Sequence, residues 1–320
     1  MENFSIGQGV SRVEDPRLLK GMGRFLNDVE LPHQAYGFVV RSPHAHARIR
    51  SVGVDTAKAA PGVLAVLTGA QLRADGIGPL LCEATGLSRG DEAMFYIPRT
   101  ALASDRVRHV GDPIAFVVAE NLGQARDAAE LVEVDYDMLP SVTSAVEAIK
   151  EGAPLVWDDC PENVCFRYPL GDKAATEAAF AQAAYVTRQR YPISRVSANS
   201  MEPRGCNGQY DPHDGRYTLY AGLQAPHTVR QDLAENVFGL PQHMFRVIAN
   251  DVGGSFGMKG GTYLEYILVL WASKRLGRPI KWMSDRSEAF ASDNHSRDNF
   301  SEAALALEDG DARAREGAAR

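Results

Sequence analysis

The chain has 320 residues, of which 45% are hydrophobic and 23% are charged, and its formal net charge is −7. This length predicts about two domains with enough apolar residues for buried cores. The acidic balance argues against a nucleic-acid-binding surface, and the lack of an apolar run of about 18 residues argues against a membrane span. The first residues lack the basic-then-apolar order of a secretory signal, so we expect a cytoplasmic protein.

The cysteines lie at positions 82, 160, 165 and 206. Cys160 and Cys165 are close in sequence, but no second Cys or His pair follows at the spacing of a zinc site. We therefore expect reduced thiols and no metal held directly by protein side chains.

Strand-like and helix-like runs alternate in the first half of the chain. Strands are predicted over Ala35–Arg41, Ala47–Val52, Val63–Thr68, Ile114–Ala119 and Val132–Tyr136, and helices over Asp55–Ala60, Ala70–Ala74 and Leu122–Leu131. Ala125, Ala128 and Ala129 share one face of the last helix. Leu139–Pro140 ends this unit. A short helix is predicted over Ser144–Ile149, and a linker follows over residues 151–154.

The second half alternates in the same way. Strands are predicted over Ala184–Tyr191, Tyr217–Ala221, Met244–Ala249 and Ile280–Met283, and helices over His227–Phe238 and Thr262–Leu276. Gly239 and Gly277 are positioned to end the two helices. Residues 308–320 hold almost no apolar side chain except alanine, so we expect a disordered tail.

A glycine-rich segment is the most informative motif of the chain. It runs Asp251-Val-Gly-Gly-Ser-Phe-Gly-Met-Lys259, between a predicted strand and a predicted helix. Its glycines let the backbone approach a bulky ligand, and the helix start beyond it favours an anionic or oxygen-bearing ligand. The spacing matches neither a dinucleotide fingerprint nor a Walker loop. A tight strand-to-helix turn without a ligand is the open alternative.

Other motifs lie upstream and downstream in a fixed order. They are Gly21-x-Gly-Arg-Phe-x-x-Asp28, Arg41-Ser-Pro-His-Ala45, Val110-Gly-Asp-Pro113, Met201-Glu-Pro-Arg-Gly205, Tyr220-Ala-Gly-Leu-Gln-Ala-Pro-His227 and Arg278-Pro-Ile-Lys-Trp-Met-Ser-Asp-Arg286. With the glycine-rich segment, they resemble the molybdenum-binding large subunit of the xanthine dehydrogenase, aldehyde oxidase and aerobic carbon monoxide dehydrogenase family. The resemblance extends from about Gly21 to Ala306.

The resemblance implies an α+β fold. An arm over residues 1–20 precedes a leading a/b hammerhead domain over 21–145. The first molybdopterin-binding domain follows over 146–307 and is incomplete, and the tail covers 308–320. The chain is expected to be a truncated form, with the family's catalytic glutamate beyond residue 320. We therefore assign no catalytic residue within the chain and expect it alone neither to retain the cofactor nor to hydroxylate a substrate.

The resemblance also implies an oxidoreductase that hydroxylates aldehydes, N-heterocycles or carbon-monoxide-type substrates with water-derived oxygen. The implied cofactor is molybdenum–molybdopterin in its cytosine dinucleotide form. The implied partners are an iron–sulfur small subunit with a 2Fe-2S centre and an FAD-binding medium subunit, assembled as a dimer of heterotrimers. The alternatives are an inert fragment and a module that binds a partner or a small ligand.

Site residues follow from the matched motifs. The resemblance implies that the Gln224 amide donates to a molybdenum oxygen, and that Gly254, Phe256 and Gly257 contact the cofactor through the backbone. From spacing alone, Gln224 could simply end a strand and Phe256 could be a buried aromatic residue. We expect Gln224 and the loop of residues 253–257 to line one concave surface.

Two positions depart from the family pattern. Ser255 replaces the usual third glycine of the loop. Gly260 stands where purine-hydroxylating members carry a glutamate that binds the substrate. The resemblance therefore gives less support to purine hydroxylation, and leaves aldehydes, other heterocycles and carbon monoxide open.

Further polar residues receive structural interpretations. We expect Glu202 to pair with Arg204 or with a backbone amide, and Glu265 and Asp285 to be ordinary helix and turn charges. His44 and His46 are expected to alternate along a polar strand edge. His295 and Arg297 are expected to be structural.

Overall fold

The computed structural model describes residues 7, 9, 11–81, 87–89 and 92–308. The expectations for the first residues, for Cys82 and for the tail from 309 lie outside the described residues. The strands are β1 Ala35–Arg41, β2 Ala47–Gly53, β3 Val63–Thr68, β4 Ser88–Arg89, β5 Glu92–Ala93, β6 Arg106–Val107, β7 Pro113–Ala119, β8 Glu133–Met138, β9 Tyr185–Ile193, β10 Gly205–Tyr210, β11 Tyr217–Ala221, β12 Phe245–Ile248, β13 Ile280–Met283 and β14 Asn299–Leu307.

The helices connect and cover these strands. They are α1 Asp15–Leu19, α2 Asp55–Lys58, α3 Gly69–Ala74, α4 Leu122–Ala129, α5 Ala145–Ala148, α6 Lys173–Gln182, α7 Pro226–Gln231, α8 Leu264–Leu276 and α9 Arg286–Ser292. Short 3-10 helices cover Leu26–Asp28, Pro161–Asn163, Gln242–Met244 and Met258–Gly260, and a π-helix covers Asp232–Phe238.

A mixed sheet forms the centre of the molecule, in the order β12-β11-β10-β13-β1-β7-β3. Strand β7 is buried at every position, as its continuous apolar sequence Pro-Ile-Ala-Phe-Val-Val-Ala predicts for a strand covered on both faces. Its neighbours β1 and β3 pair with it antiparallel. The predicted limits of β1 and β3 are confirmed.

The central sheet joins both halves of the sequence. Strand β1 pairs in parallel with β13, with Ala35 opposite Ile280. Beyond β13, strands β10, β11 and β12 continue the sheet. The central sheet therefore contains strands from both sides of residues 140–155, where the boundary between two domains is predicted. The domain limits stay a prediction.

Helix α8 fills the space behind the centre of this sheet. Every residue from Leu264 to Ser273 is buried, as expected for a helix that is apolar on all sides. The helix lies so close to β10 that a Cβ on Gly208 would lie 2.9 Å from the backbone nitrogen of Leu270. Glycine is therefore required at that point of β10. The predicted helix is confirmed, although it begins at Leu264 and not at Thr262.

Smaller sheets surround the centre. Strands β6, β2 and β8 form one sheet, β4 and β5 form a second, and β9 and β14 form an exposed two-stranded ribbon. The predicted face of α4 is confirmed, since Ala125, Ala128 and Ala129 are buried. Within the described residues, no helix combines the length and apolar character needed to cross a membrane.

The predicted helix His227–Phe238 is confirmed, although it is α-helical only over α7 and continues as a π-helix, which ends at Gly239 in the left-handed conformation. One local prediction is wrong. His44 and His46 lie in the loop between β1 and β2, not on a strand. His46 is buried there, and its Nδ1 lies 2.8 Å from the carbonyl oxygen of Pro140.

Candidate cofactor-binding site

The loop of residues 253–257, called the glycine loop below, follows β12 and has an unusual backbone. Gly254 and Gly257 have φ of 98° and 91°, and Phe256 has φ of 52°. A Cβ on Gly257 would meet no atom within 4 Å, so the conformation and not crowding requires glycine there. A positive φ at a bulky residue such as Phe256 is costly and is found mainly at functional sites.

Phe256 lies at the surface. The residue is 78% exposed, so the alternative of an ordinary buried aromatic is wrong. Within the described part of the chain, the backbone N–H groups of Phe256 and Gly257 donate to no acceptor. The glycine loop therefore presents unpaired hydrogen-bond donors beside an exposed ring.

Gln224 meets this loop from the end of β11. Its backbone N–H donates to the carbonyl oxygen of Lys259 at 3.0 Å. Its side-chain Oε1 accepts from the hydroxyl of Ser255 at 2.5 Å. A Cβ on Gly260 would lie 3.7 Å from the same Oε1, so Gly260 is also a neighbour. The predicted closeness of Gln224 and the glycine loop is confirmed, while their contact with a cofactor stays a prediction.

Beneath the loop lies a buried ion pair of Glu202 and Lys259, called the anchor pair below. Lys259 Nζ lies 2.9 Å from Glu202 Oε2, and its side chain is fully buried. The same Oε2 accepts from the N–H of Gly253 at 2.8 Å, and Oε1 accepts from the N–H of Leu26 at 3.2 Å. Gly253 must be glycine, since a Cβ there would lie 2.5 Å from the Cβ of Glu202.

The partner of Glu202 was only partly predicted. The expected bond to a backbone amide is confirmed by Gly253. The expected pairing with Arg204 is wrong, since Arg204 binds Glu265 and Asp293. Lys259, two residues after the glycine loop, pairs with Glu202 instead.

Asp251 ties the start of the loop to the N-terminal segment. Its two carboxylate oxygens accept from Arg17 at 2.6 and 2.7 Å, and Oδ2 also accepts from the N–H of Arg24 at 2.7 Å. The hydrogen bonds from Arg17 and Arg24 hold the pKa of Asp251 well below its usual range. The carboxylate therefore stays ionised and bound to helix α1.

A second group of buried charges surrounds Arg204. This charge cluster consists of Arg41, Arg204, Glu265, Glu288 and Asp293. The fully buried Arg204 donates to Glu265 at 2.7 Å and to Asp293 at 2.6 Å. Arg41 donates to Glu265 at 2.7 Å and approaches Glu288 to 2.8 Å. The cluster joins β1, the start of β10, α8 and α9.

Burial and ion pairing act in opposite directions in this cluster. Burial raises the pKa of Glu265, but Arg204 and Arg41 outweigh it and lower the pKa to about 2. Burial also raises the pKa of Glu288, and there the effect of Arg41 does not outweigh it. The expectation that Glu265 is an ordinary helix charge is wrong. Its place inside the apolar run of α8 was the available signal, because a charge there requires a partner.

Other predicted residues have simpler places. Asp285 caps α9 by accepting from the N–H of Glu288 at 2.7 Å, which agrees with a turn charge. His295 is exposed, with Nε2 3.1 Å from the carbonyl oxygen of Phe290, and Arg297 has φ of 70°. Cys160, Cys165 and Cys206 are free thiols. Among the described residues, no group of three or more His, Cys, Asp or Glu is arranged to hold a metal ion.

The donor set at the glycine loop fits an oxygen-bearing cofactor. It consists of the side-chain amide of Gln224 and the backbone N–H groups of Phe256 and Gly257, and all of these donors are neutral. A cavity of about 540 Å³ beside the start of the loop is lined by Arg24, Tyr220 and Asp251, among others. A larger cavity of about 760 Å³ is lined by residues that include His46 and Arg108.

Comparison with known proteins agrees with these observations. Residues 20–140 match the a/b hammerhead domain of aldehyde oxidase and xanthine dehydrogenase, and residues 156–316 match the molybdopterin cofactor-binding domain. The chain therefore belongs to the family of molybdopterin-binding large subunits of the molybdenum hydroxylases, and its α+β fold is that family's.

Individual relatives are similar over most of this chain. This chain is 39% identical to the carbon monoxide dehydrogenase large chain of Afipia carboxidovorans. The match includes 90% of this chain and 36% of that protein. The chain is 37% identical to the nicotine 6-hydroxylase large subunit of Paenarthrobacter nicotinovorans over 92% of its length, and covers 35% of that protein. The chain thus spans about a third of the length of these relatives.

Solved structures of molybdenum hydroxylases are also similar to this chain over most of its length. Quinoline 2-oxidoreductase from Pseudomonas putida 86 superposes with a TM-score of 0.85 at 36% identity, covering 95% of this chain and 37% of that one. A Cu,Mo carbon monoxide dehydrogenase superposes with a TM-score of 0.84 at 36% identity, covering 94% of this chain and 38% of that one.

Proposed function

We propose that this chain supplies part of the molybdenum site of a hydroxylase, with the Gln224 amide and the glycine loop facing the metal's oxygens. The observation that carries the proposal is the 2.5 Å hydrogen bond from Ser255 to Gln224. It shows that the Gln224 amide, which follows β11, lies against the glycine loop, which follows β12. Neutral donors in this arrangement stabilise developing negative charge without introducing a charge of their own.

Each residue of the site has a proposed role. The Gln224 Nε2 and the N–H groups of Phe256 and Gly257 would hold the cofactor by donating hydrogen bonds to its oxygens. Gly254, with φ of 98°, gives the loop the curvature that leaves these groups exposed. The anchor pair keeps the loop in place from below.

When bound, the cofactor supplies the two-electron oxidation of the substrate, with oxygen that comes from water. For the cofactor we propose the cytosine dinucleotide form of molybdenum–molybdopterin. The electrons are proposed to leave through a 2Fe-2S small subunit and an FAD-binding medium subunit, in a cytoplasmic dimer of heterotrimers.

Gly260 supports a choice among substrates. It lies beside Gln224 and offers no side chain to bind a purine ring. We therefore propose an aldehyde, an N-heterocycle other than a purine, or a carbon-monoxide-type substrate. The names of three relatives at 36% to 39% identity refer to carbon monoxide, nicotine and quinoline, whereas relatives at 33% and 28% identity are named for xanthine and hypoxanthine.

Substitution of Gln224 tests the proposal. In the holoenzyme that contains this chain, Gln224→Ala should lower turnover by about 100-fold, the lower end of the scale for losing one donor to developing charge. The matched control is Gln182→Ala, because Gln182 is an exposed glutamine at the end of α6. Molybdenum content by mass spectrometry and dye reduction by aldehydes and heterocycles are the measurements. Equal turnover of wild type and Gln224→Ala at equal molybdenum content would contradict the assignment.

A further inference from the structure

We infer that Ser255 is a positioning residue for Gln224: its hydroxyl holds the amide carbonyl, so that the NH₂ group is the one presented to the ligand. The inference rests on the proposed function for the identity of the ligand. The orientation itself follows from the hydrogen bonds of this chain.

The hydroxyl of Ser255 has two hydrogen-bond partners. The backbone N–H of Lys259 donates to Ser255 Oγ at 3.2 Å, so this oxygen is already an acceptor. A hydroxyl carries one proton, and here it points to Gln224 Oε1 at 2.5 Å. The Lys259 N–H occupies one lone pair of Oγ and does not use its proton. The atom of Gln224 that lies against Oγ is the amide oxygen Oε1, which can only accept, so the hydroxyl proton is donated to it.

The bond to Ser255 also decides which end of the amide is free. The amide of Gln224 is planar, and its oxygen and nitrogen point in different directions from the same carbon. With Oε1 bound to Ser255, Nε2 has no acceptor within the described residues and faces outward. An amide turned the other way would present a carbonyl oxygen to an oxygen-bearing ligand, which is repulsive.

Gln224 requires this support because its side chain is exposed. An exposed glutamine loses substantial rotamer entropy when it is held in one orientation. Its backbone is fixed by the 3.0 Å bond to the carbonyl of Lys259, and Lys259 is fixed in turn by Glu202. Ser255 is the contact that extends this fixed backbone to the side-chain amide. The glycine that is usual at this position in the family pattern has no hydroxyl and could not make this contact.

The orientation is tested by nuclear magnetic resonance on the chain itself. The Gln224 NH₂ pair is assigned as the signal that Gln224→Ala removes. We expect Ser255→Ala to shift this pair and Ser255→Thr, which keeps a hydroxyl, to leave it close to wild type. Ser301→Ala on the exposed strand β14 is the matched control and should leave the pair unchanged. An unchanged Gln224 pair in Ser255→Ala would overturn the inference.

A double-mutant cycle tests the consequence for the holoenzyme. Ser255→Ala should lower turnover about fivefold, the factor for one neutral hydrogen bond. Because Ser255 acts through Gln224, the double variant should be no slower than Gln224→Ala alone. Additive losses would show that Ser255 acts independently and would refute the positioning role. If the wild-type holoenzyme holds no molybdenum, the proposed function fails, while the resonance experiment still decides the role of Ser255.

Discussion

Glu202 and Arg204 are two residues apart, yet their side chains enter different buried charge groups. Arg204 belongs to the charge cluster, where two guanidiniums face three carboxylates in the core. Glu202 belongs to the anchor pair, where its carboxylate also binds the glycine loop through the N–H of Gly253. The cluster joins secondary-structure elements, whereas the anchor pair holds a loop whose donors stay exposed. We therefore expect damage to the cluster to appear mainly as lost stability, and damage to the anchor pair to appear also as lost cofactor.

Removal of the cation at the centre of the cluster should have the largest effect. Arg204→Met leaves Glu265 and Asp293 buried with one fewer counter-charge, and we expect a loss of about 3 to 5 kcal/mol in the free energy of unfolding. Urea unfolding followed by circular dichroism measures it. The matched control is Arg190→Met, since Arg190 pairs with Glu302 on the exposed ribbon and should cost less than about 1 kcal/mol. Similar losses in the two variants would remove the distinction between the buried and the exposed pair.

The low pKa of Glu265 predicts an acid-dependent loss of stability. The folded pKa of about 2 lies below the ordinary value of 4.5, so the unfolded chain takes up the proton first as the pH falls. This carboxylate contributes on the order of 3 kcal/mol above pH 4.5, and the contribution is lost as the pH falls towards 2. Glu288 acts in the opposite direction, because its pKa is raised.

The measurement is the free energy of unfolding between pH 7 and pH 3, in wild type and in Glu265→Gln. The difference between the two proteins isolates Glu265 from the other carboxylates. We expect wild type to lose more stability than the variant over this range. Parallel pH profiles for the two proteins would mean that Glu265 is not held ionised by Arg204 and Arg41.

Removal of Lys259 from the anchor pair should reduce stability less than Arg204→Met does, and should reduce cofactor binding more. Lys259→Met leaves the partly buried Glu202 without its cation, but the carboxylate oxygens still accept from the N–H groups of Gly253 and Leu26. We expect a loss of about 2 kcal/mol in the free energy of unfolding, below that of Arg204→Met. The holoenzyme should also retain less molybdenum, measured by mass spectrometry. Full molybdenum content with normal turnover would show that the anchor pair does not position the glycine loop.

Local sequence patterns determined much of the fold. The continuous apolar run of β7 and the alternating or apolar runs of β1 and β3 predicted strands, because burial imposes these patterns residue by residue. Strand β10, Gly-Cys-Asn-Gly-Gln-Tyr, was not predicted. Its sequence lacks β-branched residues, and its extended state depends on the neighbouring strands β11 and β13 and on the close approach of α8.

The same division applies to the candidate site. The sequence alone identified Gln224 and the glycine loop as candidates for cofactor binding, because the glycines and a glutamine that follows a predicted strand are part of the matched motifs. Which groups bind one another was decided by the tertiary structure: Glu202 pairs with Lys259, 57 residues away, and not with Arg204, two residues away. The proton that Ser255 directs to Gln224, and the charge that α8 buries at Glu265, likewise depend on contacts between distant segments. Composition and spacing record what a residue can donate or accept, whereas only packing determines which partner it meets.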